Sequence, residues 1–258
     1  MVCQGEETAE QEGTEMRQKI RKAIIIISFL LFPITIWYFS PYLIIDGASQ
    51  HIINGSFIVF VSMFVLSMFF GRIWCGYFCP SGGLQECLSS INPNPVKQGR
   101  RDKIKFVIWI IWVFAVILTF ILGKNDVKID PFYQTDHGIS VSNIYCYVIY
   151  YGVVFLFVIS NIIHGKRATC HYICWMAPFM ILGSKLGRVL HIPQLHISAD
   201  KEKCVSCGKC NQSCPMGLDV RQLVAENKTA VYSECISCGA CADACPKDVL
   251  KYMFSSKR

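Results

Sequence analysis

The sequence predicts an α-helical membrane protein with a small, cysteine-rich α+β domain at its C-terminal end. Three observations predict it: four long apolar runs, cysteines in grouped spacing, and basic residues placed beside the apolar runs. Of 258 residues, 53% are hydrophobic and 17% charged, too apolar a balance for a soluble domain of this length. Lipid must solvate part of the chain. The net charge of +7 does not indicate nucleic acid, because Lys and Arg flank the apolar runs and form no single basic tract.

A bilayer is crossed by about 20 apolar residues at helical rise. Four runs have that length: Ala23 to Ile45, Ile52 to Phe70, Ile104 to Leu122 and Val141 to Ile163. Each is expected to be a transmembrane helix, the first bent at Pro33 and Pro41. None contains a charged residue except Lys105, which is expected to meet water at a helix end. Four core helices of a soluble protein are the alternative, and too little polar sequence remains to cover them.

Orientation follows from the basic residues. Arg17, Lys19, Arg21 and Lys22 precede the first run; Arg72, Lys97, Arg100, Arg101 and Lys103 follow the second; Lys166, Arg167, Lys185 and Arg188 follow the fourth. These segments are expected to be cytoplasmic. The turn holding Asp46, and the loop where Lys124 and Lys128 oppose Asp126, Asp130 and Asp136, are expected outside. The expectation is a multi-pass inner-membrane protein with both termini cytoplasmic. The acidic start before Arg17 argues against a cleaved leader, so the first run is expected to stay as an anchor. Residues 1–22 then form a polar leader, 23–190 the membrane domain and 191–258 the cysteine-rich domain.

Fifteen cysteines are too many for an ordinary chain of this size, and their grouping points to metal rather than disulfides. Cys204, Cys207, Cys210 and Cys214 with Pro215, then Cys235, Cys238, Cys241 and Cys245 with Pro246, each spell C-x2-C-x2-C-x3-C-P. In this two-cluster ferredoxin run three cysteines of a loop hold one 4Fe-4S cluster and the fourth ligates the other. Cys204, Cys207, Cys210 and Cys245 are therefore assigned to one cluster, and Cys235, Cys238, Cys241 and Cys214 to the second. Gly208 and Gly239 let the backbone pass close to the sulfurs. A pair of four-cysteine zinc sites is the competing account, and it does not call for a proline after each fourth cysteine. So many thiolates also imply a reducing compartment.

The membrane part is duplicated. Two runs lead to Gly71, Arg72 and the pair Cys75/Cys79; two more lead to Gly165, Lys166, Arg167 and the pair Cys170/Cys174. Each unit crosses twice, so both pairs return to one face, as in a parallel repeat about the membrane normal. On a helix, residues four apart share a face, and each pair is expected to present two sulfurs side by side. The four thiols can bind a metal or cluster, cycle as two dithiol/disulfide couples, or simply pack.

A four-span protein with C-x3-C-P after the second span, C-x3-C after the fourth and a two-cluster ferredoxin tail resembles the NapH family and the related membrane modules of NosR and CcoG. The likeness runs from Arg17 to the C-terminal tail. It implies electron transfer between the quinol pool and iron-sulfur clusters for the NapH type, and copper reduction during oxidase assembly for the CcoG type. In "CHYICWMAPF" the residue after Cys174 is Trp175 and proline arrives only at Pro178, so the second C-x3-C-P is incomplete. No C-x-x-C-H haem site, G-x-G-x-x-G or P-loop signature is present, and no NAD or ATP site is expected.

Other residues receive simpler readings. His164 and His171 can ligate metal or relay a proton, but interfacial histidines more often hydrogen-bond lipid headgroups. Trp74, Tyr77, Phe78, Tyr172 and Trp175 read first as an interfacial belt and second as a quinone site. Cys87 lies about two helical turns beyond Cys79 and is taken as an ordinary buried thiol. Cys3 and Cys146 receive no role, and the segment after Cys174 is expected to be an interfacial helix.

The function these features support is electron transfer, in either direction, between the membrane, with quinol or another membrane donor as partner, and a soluble redox partner. The alternative is a copper or cofactor reductase whose Cys75, Cys79, Cys170 and Cys174 bind the metal as soft thiolates. A third option, a sensor reporting oxygen or iron, lacks an output domain in this sequence. No catalytic residue is assigned; a quinol dehydrogenase-like component is the nearest enzyme class.

Overall fold

The computed structural model describes residues 3–96, 99–123, 126–226 and 233–256, and the backbone alone of residues 3–14 and 100. Lys97 and Lys124, used above for orientation, lie outside the described residues, as do the side chains of Cys3 and Arg100.

The N-terminal helix α1 (Cys3–Leu30) breaks where Pro33 follows it, because proline removes a helical donor and its ring crowds the preceding turn. A short α2 (Phe32–Thr35) and a 3-10 turn at Ile36–Phe39 come next, bent by 59° from α1. Ser40 then caps α3 (Pro41–Gln50): its hydroxyl accepts from the Leu43 N–H while Pro41 opens the helix. The expectation of one bent helix from Ala23 to Ile45 is thereby corrected, since two prolines and a serine cap divide it.

The second run is also shorter than expected. Ile52–Asn54 forms strand β1, and Asn54 caps α4 (Gly55–Phe70) by accepting from the Phe57 N–H. Its 16 residues span about 24 Å at helical rise, less than the hydrocarbon core. Beyond it lie α5 (Ile73–Tyr77) and α6 (Pro80–Leu88), then α7 (Ile104–Leu122). Strand β2 (Lys128–Asp130) pairs in parallel with β1, and α8 (Ile144–His164), α9 (Ala168–Tyr172) and α10 (Ala177–Val189) complete the membrane part. Among the described residues, the helices at Arg101–Leu122 and Ile144–His164 are long and apolar enough to cross a membrane, and a third span exists if Glu15–Leu30 and Phe32–Phe39 count as one. Their outward faces remain apolar, as Ile111, Phe114, Ile121, Val148 and Phe155 show. These apolar helices suggest membrane association.

The helices that follow the cysteine pairs pack on elements distant in sequence: α6 on α1 and α8, and α10 on α4. Gly183 and Gly187 of α10 make the contact with α4 possible, as a Cβ on either would stand 2.5 Å from a backbone oxygen of α4, that of Phe64 or Met68. Helix α10 is therefore held between elements rather than lying free on a membrane surface, and Met180 and Ile181 are fully buried.

The C-terminal domain is a two-stranded antiparallel sheet, β3 (Gln194–Ala199) against β4 (Leu250–Ser255), enclosing the cysteine loops and three short helices, α11 (Lys209–Ser213), α12 (Val220–Ala225) and α13 (Ala240–Asp243). One apolar core runs from Phe60 and Met180 through Cys75 and Cys170 into Cys214, Cys238 and Cys241. The two parts of the chain thus share their interior.

Candidate functional site

The cysteine-rich domain repeats its loop conformation. Ser206 and Ser237 both have positive φ, and Gly208 and Gly239 share φ 76°. A left-handed residue costs glycine nothing, and the turn it allows brings three sulfurs of each loop to one side. Cys204, Cys207, Cys210 and Cys245 line one cavity with Arg221, Val224 and Lys247. Cys214, Cys235, Cys238 and Cys241 line a second with Ile197, Met216 and Ile236. Each cavity therefore takes three cysteines from one run and the last cysteine of the other. Among the described residues no three Cys, His, Asp or Glu side chains stand close enough to hold a single metal ion.

The two cavities differ in exposure. Cys207 is exposed, whereas Cys214, Cys238 and Cys241 are buried. Helix α1 closes over the second loop: Arg17 pairs with Asp243 and stacks on Tyr252, and the Gln18 amide donates to the Cys238 carbonyl. Burial pushes the Cys235 thiol up to about 12. Such a thiol is neutral until a metal displaces its proton.

The C-x3-C pairs do not lie on continuous helices, which corrects the expected face-sharing. Cys75 ends within α5 and Cys79 is the cap of α6; Cys170 lies in α9 and Cys174 in the bend before α10. The halves nonetheless match. Cys79 N–H donates to Trp74 O at 3.0 Å, and Cys174 N–H to Thr169 O at 2.9 Å, in each case the residue before the first cysteine. Pro80 opens α6 directly after Cys79, whereas α10 begins at Ala177 with Pro178 in its first turn, after Trp175 and Met176. The later proline leaves the Cys174 N–H bond to Thr169 O in place.

The thiols of the two pairs lie near enough to influence one another. Burial raises the Cys79 thiol well above its ordinary value, and the charges of Cys75, Cys170 and Cys174 add to the rise. Cys174 is pushed up to about 12 by burial, then by Cys170 and Cys75. Around them stand groups that the sequence reading missed as site residues. Arg72 and Arg167, each three residues before the first cysteine of a pair, are buried. Arg72 donates to Glu234 at 2.9 Å and lies beside Cys75, Cys170 and Cys174. Arg167 donates to the Cys75 carbonyl at 2.8 Å and to Glu86 at 2.8 Å; Arg21 reaches Glu86 at 2.6 Å and the Gly76 carbonyl at 3.2 Å. The Gln85 amide donates to Cys170 Sγ at 3.3 Å, and Met180 Sδ stands 3.9 Å from Cys75 Sγ. Among the described residues, Arg72 Nε and Nη2, Arg167 Nε and Trp74 Nε1 are buried donors with no hydrogen-bond partner. Unpaired buried donors beside four thiols fit an anionic group there. The signal that could have found the arginines is their recurrence at the same offset in both halves.

Several expectations change. Lys105 is fully buried and bonds Glu234 at 2.5 Å, so it does not meet water. His171 is fully buried with Nε2 3.0 Å from Met216 O, and no headgroup can reach it; His164 is exposed and packs on Tyr172. Trp74 and Trp175 both turn inward onto Phe39, one by ring contact and the other by donating to its carbonyl, so only Phe78 fits the expected belt among the pair-flanking aromatics that are largely exposed. Cys87 is exposed rather than buried. Glycine at position 76 seats the membrane part against the C-terminal domain: a Cβ there would stand 2.6 Å from Ile236 O and 3.5 Å from Cys238 Cβ.

Two family models match the chain: a 4Fe-4S dicluster domain over residues 196–246 and a 4Fe-4S binding domain over residues 55–97. The second match encloses Cys75 and Cys79. An uncharacterized protein of Methanocaldococcus jannaschii, MJ0750, is 23% identical over 206 residues, covering 77% of this chain and 79% of that protein. The Escherichia coli protein titled "Putative electron transport protein YccM" is 23% identical over 203 residues, 71% of this chain and 52% of the relative. A second uncharacterized Methanocaldococcus jannaschii protein, MJ0749, is 24% identical over 163 residues, 62% of this chain and 58% of its own length. The chain thus spans little more than half of the last two. No solved structure matches it.

Proposed function

We propose that this chain is a membrane-anchored iron-sulfur electron-transfer protein of the NapH type, passing electrons between the quinol pool and a soluble redox partner on the cytoplasmic side. Cys204, Cys207, Cys210 and Cys245 hold one 4Fe-4S cluster, and Cys235, Cys238, Cys241 and Cys214 the second. Cys75, Cys79, Cys170 and Cys174 hold a third centre. The observation that carries this reading is the seating of Gly76, the neighbour of Cys75, against Ile236 and Cys238 of the second ferredoxin loop. The matches to 4Fe-4S binding models and to an electron transport protein support it.

An iron-sulfur cluster, when bound, supplies one-electron carriage, and this chain's residues do the rest. The cysteines bind as thiolates; Arg72 and Arg167 offset their charge and offer N–H donors. Burial of Cys75, Cys79 and Cys170 excludes water and soluble thiols, which disfavours a dithiol/disulfide cycle that needs access. Glu86 and Glu234 hold the arginines in place. The basic residues at Arg17 to Lys22 and Arg101 to Lys103 support the cytoplasmic orientation.

A second reading draws on Met180: a thioether beside thiols is a soft set suited to copper(I). Anaerobic purification with iron and sulfide analysis separates the two. Iron and sulfide matching three clusters, with one centre lost in Cys75→Ser and Cys170→Ser and reduction by a quinol analogue, supports electron transfer. Iron for two clusters only, no reaction with any quinone couple, and thiol-dependent copper(I) binding would overturn it.

A further inference from the structure

We propose that the first cysteine loop, Cys204 to Lys209, is the docking face for a small acidic electron-carrier protein; this rests on the electron-transfer reading above. The two loops have one backbone conformation, so what surrounds them can be compared position by position. In the second loop Ile236 is 1% exposed and held against Gly76, and a Cβ on Gly239 would meet the Tyr252 hydroxyl at 2.5 Å. This loop is already docked, on the membrane part of its own chain. In the first loop Val205 takes the place of Ile236 and is 61% exposed, and a Cβ on Gly208 would meet nothing within 4 Å among the described residues. The same loop shape that buries itself on one side is open on the other.

The rim of the open loop selects the occupant. Lys201, Lys203, Lys209, Arg221 and Lys247 surround the Cys204–Cys207 turn and are exposed, against Asp200, Glu202 and Asp248. Asp200 already pairs with Lys203 at 2.9 Å. Two of the cations, Arg221 and Lys247, line the cavity that Cys207 faces. An apolar contact at the centre of a mainly basic rim, with a cysteine of the cavity exposed beside it, matches a carrier that presents acidic residues around its own redox group. A basic carrier would be repelled there. Where Ile236 docks permanently through apolar burial, Val205 and the lysines give a steered contact that forms and releases.

The test uses the full chain with its clusters in detergent, with an acidic plant-type 2Fe-2S ferredoxin as probe and basic cytochrome c as control. Binding of the ferredoxin is measured by interferometry between about 0.01 M and 1 M salt, over which the screening length falls from about 30 to 3 Å. Affinity should fall by at least about tenfold with salt, and again about tenfold in Lys201→Glu/Lys209→Glu, while iron content and visible spectrum stay unchanged. Val205→Asp should weaken ferredoxin binding as well. Binding indifferent to both salt and charge reversal overturns the proposal, as does tighter binding of cytochrome c, or a dimer in light scattering that the charge reversal dissociates. Salt-dependent binding with no electron exchange would keep the docking face and sink the electron-transfer reading. Electron exchange indifferent to salt and to the variants would do the reverse.

Discussion

Replacing Glu86 by Gln tests how the membrane part holds its four thiols. The carboxylate bridges Arg21 and Arg167, both buried, at 2.6 and 2.8 Å, and those arginines bind the Gly76 and Cys75 carbonyls. Burial by itself would raise the Glu86 carboxyl, but Arg167 and Arg21 outweigh it and hold it down at about 2, from an ordinary 4.5. That drop corresponds to about 3 kcal/mol, which agrees with the roughly 3 to 5 kcal/mol lost when one partner of a buried ion pair is removed. For a chain of this length the apparent melting temperature should fall by about 6 to 12 °C. Thermal unfolding in detergent, followed by tryptophan fluorescence, reads the change. A depressed carboxyl contributes stability in full above its unfolded value and loses it as pH falls toward the folded one. The difference between wild type and Glu86→Gln should therefore be constant above pH 4.5 and close between 4.5 and about 2. Adding Arg21→Gln should cost less in the double variant than the two single losses together. A melting temperature within about 2 °C of wild type in Glu86→Gln would refute the reasoning, since the two arginines would then have no need of the carboxylate.

Gly76→Ala places a methyl 2.6 Å from Ile236 O, so the C-terminal domain should loosen and become more susceptible to limited proteolysis; an unchanged digestion pattern would contradict the seating described for Gly76. The cavity partition predicts that Cys214→Ser and Cys235→Ser perturb the same cluster signal in electron paramagnetic resonance, and Cys245→Ser that of Cys204→Ser. Perturbation according to sequence neighbours would mean that each run holds its own cluster. Asn54→Ala removes the cap of the short apolar helix and should cost about 1 kcal/mol in detergent unfolding. Gly187→Val drives a side chain onto Met68 O, 2.5 Å from where its Cβ would lie, and should cost more than that cap, since the helix crossing has to separate.

How much was legible varied with the distance over which a signal acts. The ferredoxin loops could be read from spacing because three sulfurs and one glycine within seven residues fix the turn, and Gly208 and Gly239 adopt the left-handed conformation that the turn needs. The helices Ile104–Leu122 and Ile144–His164 could be read because each is an uninterrupted apolar run. The division of the first run is less legible: Pro33 and Pro41 predict bends, but Ser40 as a cap turns a bend into a break. The buried ion pairs were not legible at all. Lys105 reads as an interfacial lysine until Glu234, 129 positions away, closes on it.

The sequence by itself determined the chemistry of this protein, because ligand type and loop spacing are local properties: eight thiols in two repeated turns, four more in two repeated steps, and apolar helices between them. Only the tertiary structure decided where those groups stand relative to one another. Loops of one backbone conformation become one buried and one open because Ile236 packs on Gly76 whereas Val205 stays exposed. Arg72 and Arg167, at the starts of α5 and α9, are carried into an interior where a buried cation requires an anionic partner, and Glu234 and Glu86 supply it from distant parts of the chain.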